Sequence, residues 1–372
     1  RAPTRSRGNG EGLAVEGAPD FEIDVGPQGK YKVSLGFFLN DQSEPFNGLQ
    51  VSLFNRARQR GGSQISPLAN LGMADMRGFQ LAGIINNSVG KVESQLAGIG
   101  NTAGGQVTAM QVAGIGNLAG GTVDGFQLAG IGNIAGKPVG GFQAAGIGNL
   151  AGGVVEGFQL AGIGNIGGGQ VGGFQAAGIG NIAGGQVKGF QAAGIGNLAG
   201  DHVAGGQIAG IFNVAQKVSN LQLAGIGNIA NRMQGLQLGL VNITGDGQGA
   251  QIGLINLSQR LDGVTLGLLN YSHQGRLDAS IWTDSNGLTW FSVSSGSRAL
   301  YSFYSAGISL VDTEQPYALG LGIGADIPVS QQQHVEVDIS LNGVFVESID
   351  PDKGNLLGRM RLLGVHRGGQ AG

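Results

Sequence analysis

The hydrophobic and polar positions of this chain recur in units of 14 to 16 residues. Glutamine marks each unit from Gln80 to Gln251, asparagine follows five or six residues later, and Gln50 and Gln64 extend the series upstream. Counted from glutamine as zero, apolar residues fall at −1, +1, +4, +7 and +12; in one copy these are Phe126, Leu128, Ile131, Ile134 and Val139. About fifteen copies lie between residues 48 and 270.

The length of the unit limits the fold class. A helix pair needs more than about 30 residues, and glycine, which is frequent in every copy, costs roughly 1 kcal/mol per residue in a helix. The pattern therefore predicts an all-β chain: a β-solenoid of about fifteen coils whose identical positions stack about 4.8 Å apart. The alternative is an outer-membrane β-barrel with one strand per copy, although residues 32–270 contain no Trp or Tyr for interfacial girdles.

Two columns of amide side chains are the candidate site residues of the repeat. Stacked amides can hydrogen-bond to their own copies in neighbouring coils, and an unpaired buried amide costs about 1–3 kcal/mol. We predict a buried or half-buried structural ladder; an outward polar array for ice or polysaccharide is the alternative. The ladder consists of Gln111, Gln127, Gln143, Gln159, Gln175, Gln191, Asn117, Asn133, Asn149, Asn165, Asn181 and Asn197.

The large apolar side chains of the repeat are expected to form its core. Isoleucines at +4 run from Ile84 to Ile226, and phenylalanines at −1 precede many of the glutamines. Most charges between residues 80 and 230 fall at positions −3 and +10, as in Asp124 and Lys137. These positions are expected to be turns that face water.

Composition excludes several classes of protein. The 75 glycines among 372 residues lack a triplet period, which excludes collagen, and 41% hydrophobic residues with a net charge of −3 argue against disorder. The chain has no basic stripe, so nucleic-acid binding is not expected. It has no run of 18 apolar residues and no cysteine. The lack of cysteine excludes disulfides and thiolate zinc sites and fits an exported protein.

Catalytic and cofactor chemistry have little support in the sequence. The histidines are scattered without metal-ligand spacing, and no acid/base carboxylate pair or G-x-S-x-G motif is present. The glycine-rich run 130–136 looks like a nucleotide-binding loop, but it recurs along the repeat without a βαβ unit around it. We therefore expect no enzyme activity, no metal site and no cofactor.

The chain is predicted to have three segments: residues 1–47, a flexible N-terminus with a lead-in strand; 48–270, the glycine-rich solenoid; and 271–372, an antiparallel β domain or cap. In the last segment Val335, Val337, Ile339 and Leu341 alternate with polar residues, which predicts a meander with one buried and one wet face. This segment would cover the last coil or face a membrane. Its predicted strands are 278–283, 287–294, 299–310, 317–326, 334–347 and 356–365.

The repeat resembles a known group of proteins. The units QLGLVN at 237–242 and QIGLIN at 251–256 are similar to those of bacterial surface-repeat proteins with G-x-Q-x-G-x-x-N units, found in spirochaetes and related Gram-negative bacteria. The resemblance covers roughly residues 48–270, and the aromatic tail is similar to the segment that follows such repeats. Similarity to curlin repeats of amyloid fibres is weaker. The resemblance implies a location in the cell envelope or outside the cell.

These observations predict a non-enzymatic structural or interaction protein at the cell surface, in the outer membrane or outside the cell. It would be a repeat rod for display, adhesion or self-assembly. The expected partners are other copies of the chain, as a homo-oligomer or filament, or an envelope or surface ligand, with membrane association through residues 271–372. The alternatives are an outer-membrane β-barrel that acts as a channel or anchor, and a carbohydrate- or ice-binding module.

Overall fold

The computed structural model describes residues 21–25, 31–42, 47–57, 62–285, 287–309, 317–330, 332–345 and 355–366. Residues 1–20 of the predicted N-terminal segment 1–47 lie outside them. All regular structure in the described residues is β-strand, and no helix among them is long and apolar enough to cross a membrane. The predicted fold class is confirmed: a parallel β-solenoid of about fifteen turns precedes a six-stranded antiparallel sheet. The chain divides into two compact units, Arg1–Ala151 and Gly152–Gly372.

The first unit contains the early coils of the solenoid. Its strands are β1 (Phe21–Val25), β2 (Tyr31–Leu35), β3 (Leu39–Gln42), β4 (Gly48–Val51), β5 (Phe54–Ala57), β6 (Ser63–Ser66), β7 (Ala69–Gly72), β8 (Met76–Ala82), β9 (Ile85–Ser88), β10 (Val92–Ala97), β11 (Gly100–Ala103), β12 (Val107–Ala113), β13 (Gly116–Ala119), β14 (Phe126–Ala129), β15 (Gly132–Ala135), β16 (Phe142–Ala145) and β17 (Gly148–Ala151). Each coil has a glutamine strand, such as β14, and an asparagine strand, such as β15.

Neighbouring coils pair in parallel and in register. Gln127 lies opposite Gln111 and Gln143, and the asparagine strands pair in the same way. This parallel pairing excludes the alternative in which neighbouring repeats run antiparallel. One further coil precedes residue 48, because β2 and β3 pair in parallel with β4 and β5. The strand β1 pairs antiparallel with β2 and covers its free edge.

The second unit continues the solenoid and adds the antiparallel sheet. Its solenoid strands are β18 (Phe158–Ala161), β19 (Gly164–Gly167), β20 (Phe174–Ala177), β21 (Gly180–Ala183), β22 (Phe190–Ala193), β23 (Gly196–Ala199), β24 (His202–Val203), β25 (Gly206–Ala209), β26 (Phe212–Val218), β27 (Leu221–Ala224), β28 (Gly227–Met233), β29 (Leu236–Leu238), β30 (Val241–Ile252), β31 (Ile255–Leu266) and β32 (Leu269–Ser272). The sheet consists of β33 (Arg276–Thr283), β34 (Leu288–Gly296), β35 (Leu300–Ser309), β36 (Tyr317–Pro328), β37 (Gln333–Phe345) and β38 (Asn355–His366).

The antiparallel sheet contacts the last coil of the solenoid. The amide of Asn270 donates to the hydroxyl of Ser302 at 2.7 Å, and this hydroxyl donates to the carbonyl oxygen of Gly267 at 2.6 Å. The backbone N–H of Ser297 donates to the hydroxyl of Thr265 at 3.2 Å. Polar groups that the next coil would otherwise satisfy are therefore satisfied by the sheet.

The prediction that the large apolar side chains form the core of the solenoid is wrong. The isoleucines at +4 are 38–51% exposed, and several of the phenylalanines at −1 and the isoleucine at +7 are exposed as well. The interior holds the amides together with small residues such as Ala135 and Val139. Successive strand residues point to opposite faces, so burying Gln127 turns Phe126 and Leu128 outward.

The expected polarity of the antiparallel sheet is also wrong. Ile339 and Leu341 are 57% and 55% exposed, whereas Asp338 and Asn342 are 2% and 1% exposed. Apolar and polar residues therefore alternate as predicted, but the polar face is the buried one. The predicted strands match the six observed ones within a few residues; residues 310, 346 and 347 lie outside the described chain.

Candidate functional site

The glutamine column forms a continuous hydrogen-bonded chain within each unit. In the first unit Gln127 donates to Gln111, and Gln143 donates to Gln127, each from Nε2 to Oε1 at 2.6 Å. In the second unit Gln175 donates to Gln159 at 2.7 Å, and Gln191 donates to Gln175 at 2.8 Å. All these side chains are fully buried. The structure thus brings the predicted glutamines together as neighbours in the interior.

The asparagine column makes more contacts per side chain. Asn133 donates from Nδ2 to Asn149 Oδ1 at 2.9 Å and to the carbonyl oxygen of Ala144 at 2.7 Å, while Asn117 donates to Asn133 at 2.8 Å. Each asparagine therefore links its own strand to the glutamine strand of the next coil. Asn165, Asn181 and Asn197 repeat the pattern in the second unit at 2.9 Å.

The two columns run in opposite directions. Each glutamine donates to the preceding coil, whereas each asparagine donates to the following coil. Because the two columns donate in opposite directions, the acceptor without a donor lies at opposite ends of them. The buried Oε1 of Gln251, near the C-terminal end, and the buried Oδ1 of Asn55, near the N-terminal end, have no hydrogen-bond partner. Because amide dipoles in the two columns oppose each other, the interior carries little net dipole.

The burial of the amides decides between the two interpretations of the columns. Their side chains lie at 0–3% exposure and do not reach a surface that ice or a polysaccharide contacts. The glycine-rich run 130–136 includes strand β15 and its flanking turns, so it is part of a coil. Among the described residues, no group of three or more His, Asp or Glu side chains is arranged to hold a metal ion.

Outward apolar columns are the main surface feature of the solenoid. In ten successive coils the corner between the glutamine and asparagine strands carries an isoleucine, exposed in both units. The corner isoleucines are Ile84, Ile99, Ile115, Ile131 and Ile147 in the first unit, and Ile163, Ile179, Ile195, Ile211 and Ile226 in the second. Exposed charges lie in the turns that join one coil to the next, away from this corner: Asp124 lies between Ala119 and Phe126, and Lys137 lies between Ala135 and Phe142. The coil surface thus has an apolar side and a glycine-rich, charged side.

The buried face of the antiparallel sheet contains a charged network. Arg276 on β33 binds Glu336 on β37 through both terminal nitrogens, at 2.8 and 3.2 Å, and its guanidinium lies 3.9 Å from the ring centroid of Tyr301. Asp338 accepts from the Tyr301 hydroxyl at 2.6 Å and from Arg361 at 2.5 and 2.9 Å. Charge-assisted bonds of this kind satisfy the buried ions.

Side chains of the first and last strands of this sheet meet across its buried face. Arg359 on β38 binds Asp284 at the end of β33 at 2.5 Å, and its guanidinium lies 4.9 Å from Trp282 and 4.8 Å from Trp290. The two indole rings stack at 5.4 Å. Because β33 and β38 are opposite edges in the strand order, these contacts require the sheet to curl around its polar face.

The sequence interpretation missed this network, although a signal for it existed. Glu336 and Asp338 occupy alternate positions in one predicted strand, and Arg359 and Arg361 occupy alternate positions in the next. The structure pairs Asp338 directly with Arg361 across strands β37 and β38. Opposite charges at a spacing of two in adjacent strands indicate a shared polar face.

Comparison of the chain with protein-family models, curated proteins and solved structures gives no match.

Proposed function

We propose that this chain is a non-enzymatic structural or interaction protein of the surface or outside of a Gram-negative cell, and that its solenoid associates side by side with a second copy. The observation that carries this proposal is the set of outward apolar columns. An ordinary monomer has a largest apolar patch of about 300–600 Å², and columns of half-exposed isoleucine repeat in coil after coil here. Binding of a partner that covers such a surface removes its apolar side chains from water.

The regular spacing of the columns selects the kind of partner. Identical side chains recur with each coil, about 4.8 Å apart, because the coils stack through parallel β-pairing. A second copy of the chain has the same spacing, so its columns can stay in step over many coils. A partner without this period would match only a few coils.

The size of the side chains at position +1 favours a particular register. Large and small residues alternate at this position in four successive coils: Leu128 pairs with Ala144 in the first unit, and Leu160 pairs with Ala176 in the second. In this stretch a second copy displaced by one coil would set the leucines against alanines. Interdigitation of large and small side chains gives the packing density of protein interiors.

The described ends favour side-by-side over end-to-end association. At the N-terminal side β1 pairs antiparallel with β2, and at the C-terminal side Asn270 is bonded to Ser302 of the sheet. These two covered edges are not available in the full chain for pairing with another copy. The proposed cellular location rests on the resemblance to surface-repeat proteins and on the lack of cysteine.

The proposal is tested by sedimentation velocity of the full chain in mild detergent over a range of concentrations. Burial of a leucine contributes about 1.5–3 kcal/mol, so Leu128→Ser with Leu160→Ser should raise the dissociation constant at least about ten-fold. Lys137→Ser, on the charged side of the coil, is the matched control and should leave association unchanged. A monomer at all concentrations, or equal effects of both changes, would show that these columns do not mediate self-association.

A further inference from the structure

The outward face of the antiparallel sheet is uniformly uncharged. In the register of β33–β38, the outward positions carry no Asp, Glu, Lys or Arg, whereas Arg276, Asp326, Glu336, Asp338, Arg359 and Arg361 lie on the opposite face. In water a sheet is expected to expose its charged side chains and bury its apolar ones, because charged groups are the costliest to bury. Polar groups inside and apolar groups outside are typical of strands surrounded by lipid.

The outward residues form a continuous apolar surface across neighbouring strands. Leu321 on β36 lies beside Leu341 on β37, and Ile323 lies beside Ile339, which lies beside Met360 on β38. All five side chains are exposed large hydrophobic groups. On this face of β35, Ser302 is hydrogen-bonded to the solenoid. The exposed apolar side chains of β36, β37 and β38 lie on the strands beyond β35 in the sheet.

The height of this apolar surface matches the hydrocarbon layer of a bilayer. On β36 the outward positions run from Tyr317 to Ile327, ten residue steps. At about 3.4 Å per residue this is about 34 Å along the strand, or about 24 Å at a tilt of about 45°. Lipid-facing bands on β-proteins are about 25 Å tall. The strands β36, β37 and β38, of 12, 13 and 12 residues, are long enough for this distance.

The two ends of the apolar surface carry residue types that are common where a protein passes from lipid into water. At one limit Tyr317 lies directly beside Phe345, an aromatic pair on adjacent strands. At the other limit the turn after β36 carries exposed Ser330 and Gln332. Aromatic side chains at the interface and polar turns beyond it are common in lipid-facing sheets.

We infer that the outward face of β36, β37 and β38 contacts the acyl chains of a lipid bilayer, so that this sheet anchors the protein in a membrane. The charged network on the buried face then lies in a protein interior, away from lipid. The contacts between Arg359 and Asp284 bring the edge strands β38 and β33 towards each other. A long unpaired strand edge is costly in lipid, and curling of the sheet brings its two edges closer together. The inference does not depend on self-association of the solenoid.

The absence of cysteine allows a site-specific test in the full chain. Single variants Leu321→Cys and Ile339→Cys are labelled with the environment-sensitive fluorophore NBD and transferred from mild detergent into phosphatidylcholine vesicles. Their emission should shift to the blue and be quenched when the lipids carry bromine on their acyl chains. Labels at Gln332→Cys in the turn and Lys137→Cys on the charged side of the solenoid are the controls and should remain in water.

A charge placed on the same face provides a second measurement. Ile339→Lys should lower partitioning into these vesicles in a flotation assay by about thirty-fold or more, while Gln332→Lys should change it little. The inference is overturned if the labels at Leu321 and Ile339 respond no more than those at Gln332 and Lys137. It is equally overturned if a rising protein concentration without lipid gives the same blue shift, because a second copy would then cover the face.

Discussion

At the scale of single residues, the amide and not the isoleucine holds a coil in place. Asn133 takes part in bonds to Asn117, Asn149 and the carbonyl of Ala144, all at 2.7–2.9 Å, inside the coil. The next residue, Ile134, is exposed. In most proteins the isoleucine of such a pair contributes more to stability, so the two positions distinguish this interior from an ordinary hydrophobic core.

We expect Asn133→Leu to destabilise the fold more than Ile134→Ser does. The leucine would remove the acceptor of one hydrogen bond from Asn117 and the donor of the bonds to Asn149 and to the carbonyl of Ala144, and each unsatisfied buried group costs about 1–3 kcal/mol. The exposed Ile134 loses little on substitution. Urea unfolding at low protein concentration, followed by circular dichroism, compares the two free energies of unfolding. A larger loss from Ile134→Ser would place that side chain, and not the amide, in the stabilising interior.

The same pair of residues explains what the sequence could and could not predict. Alternation along a strand separates two faces, but it does not state which face is inside. Buried amides in a single strand would be costly, and only the stacking of copies supplies each amide with a partner. On the glutamine strand, position +1 is Leu128, Ala144 and Ile208 in different coils, whereas glutamine stays constant. Constancy alone does not identify the interior, because the isoleucines at +4 are equally constant and lie outside.

At the scale of the coil, close approach of one backbone to the next limits which residues fit the turns. A Cβ added to Gly141 would lie 1.7 Å from the carbonyl oxygen of Gly125 in the preceding coil. A Cβ added to Gly140 would meet nothing within 4 Å. The repeated glycine two residues before glutamine is therefore a requirement of coil stacking, and its neighbour is not.

Gly140→Ala and Gly141→Ala should accordingly differ strongly in their effects. The clash at Gly141 forces the stacked backbones apart, at a cost of about 1–3 kcal/mol or more. Gly140→Ala should be neutral or stabilise by about 0.4–1 kcal/mol, because it restricts the unfolded chain. Thermal melts of the two variants and the parent chain measure the difference. Equal melting temperatures would mean that the coils do not approach as closely as the structure places them.

The period of the repeat and the turn residues were enough to predict the elements themselves. The unit is too short for a helix pair and contains too much glycine for any helix, and the strict alternation around Val337 marks β37 within two residues of its observed start. The orientation of that strand needed tertiary information. Glu336 and Asp338 are buried because Arg276 and Arg361 come from other strands, and neither partner is near in sequence.

At the scale of the whole molecule, the antiparallel sheet covers the last coil of the solenoid. The sequence suggested such a cap because an uncovered coil exposes a β-edge to other chains. The structure adds the contacts: Asn270 donates to Ser302, and Ser297 donates to Thr265. The asparagine column thus ends on a serine of the sheet, at the place where the next asparagine would stand.

Deletion of residues 276–372 should therefore leave the coils folded and make the protein polymerise end to end, because β1 covers only β2 of the first coil and no described strand pairs with the outer side of β3. The uncovered strands β31 and β32 would offer backbone groups and the free amide of Asn270 as a template for another copy. Light scattering measures the polymerisation, and fibre diffraction checks for a spacing of about 4.8 Å along the axis. Ser302→Ala in the full chain is the control: it removes the two hydrogen bonds of the Ser302 hydroxyl but keeps the end covered, so it should stay dispersed. If the deletion variant also stays dispersed and folded, the last coil does not need the sheet to prevent polymerisation. The sheet would then serve the membrane contact alone.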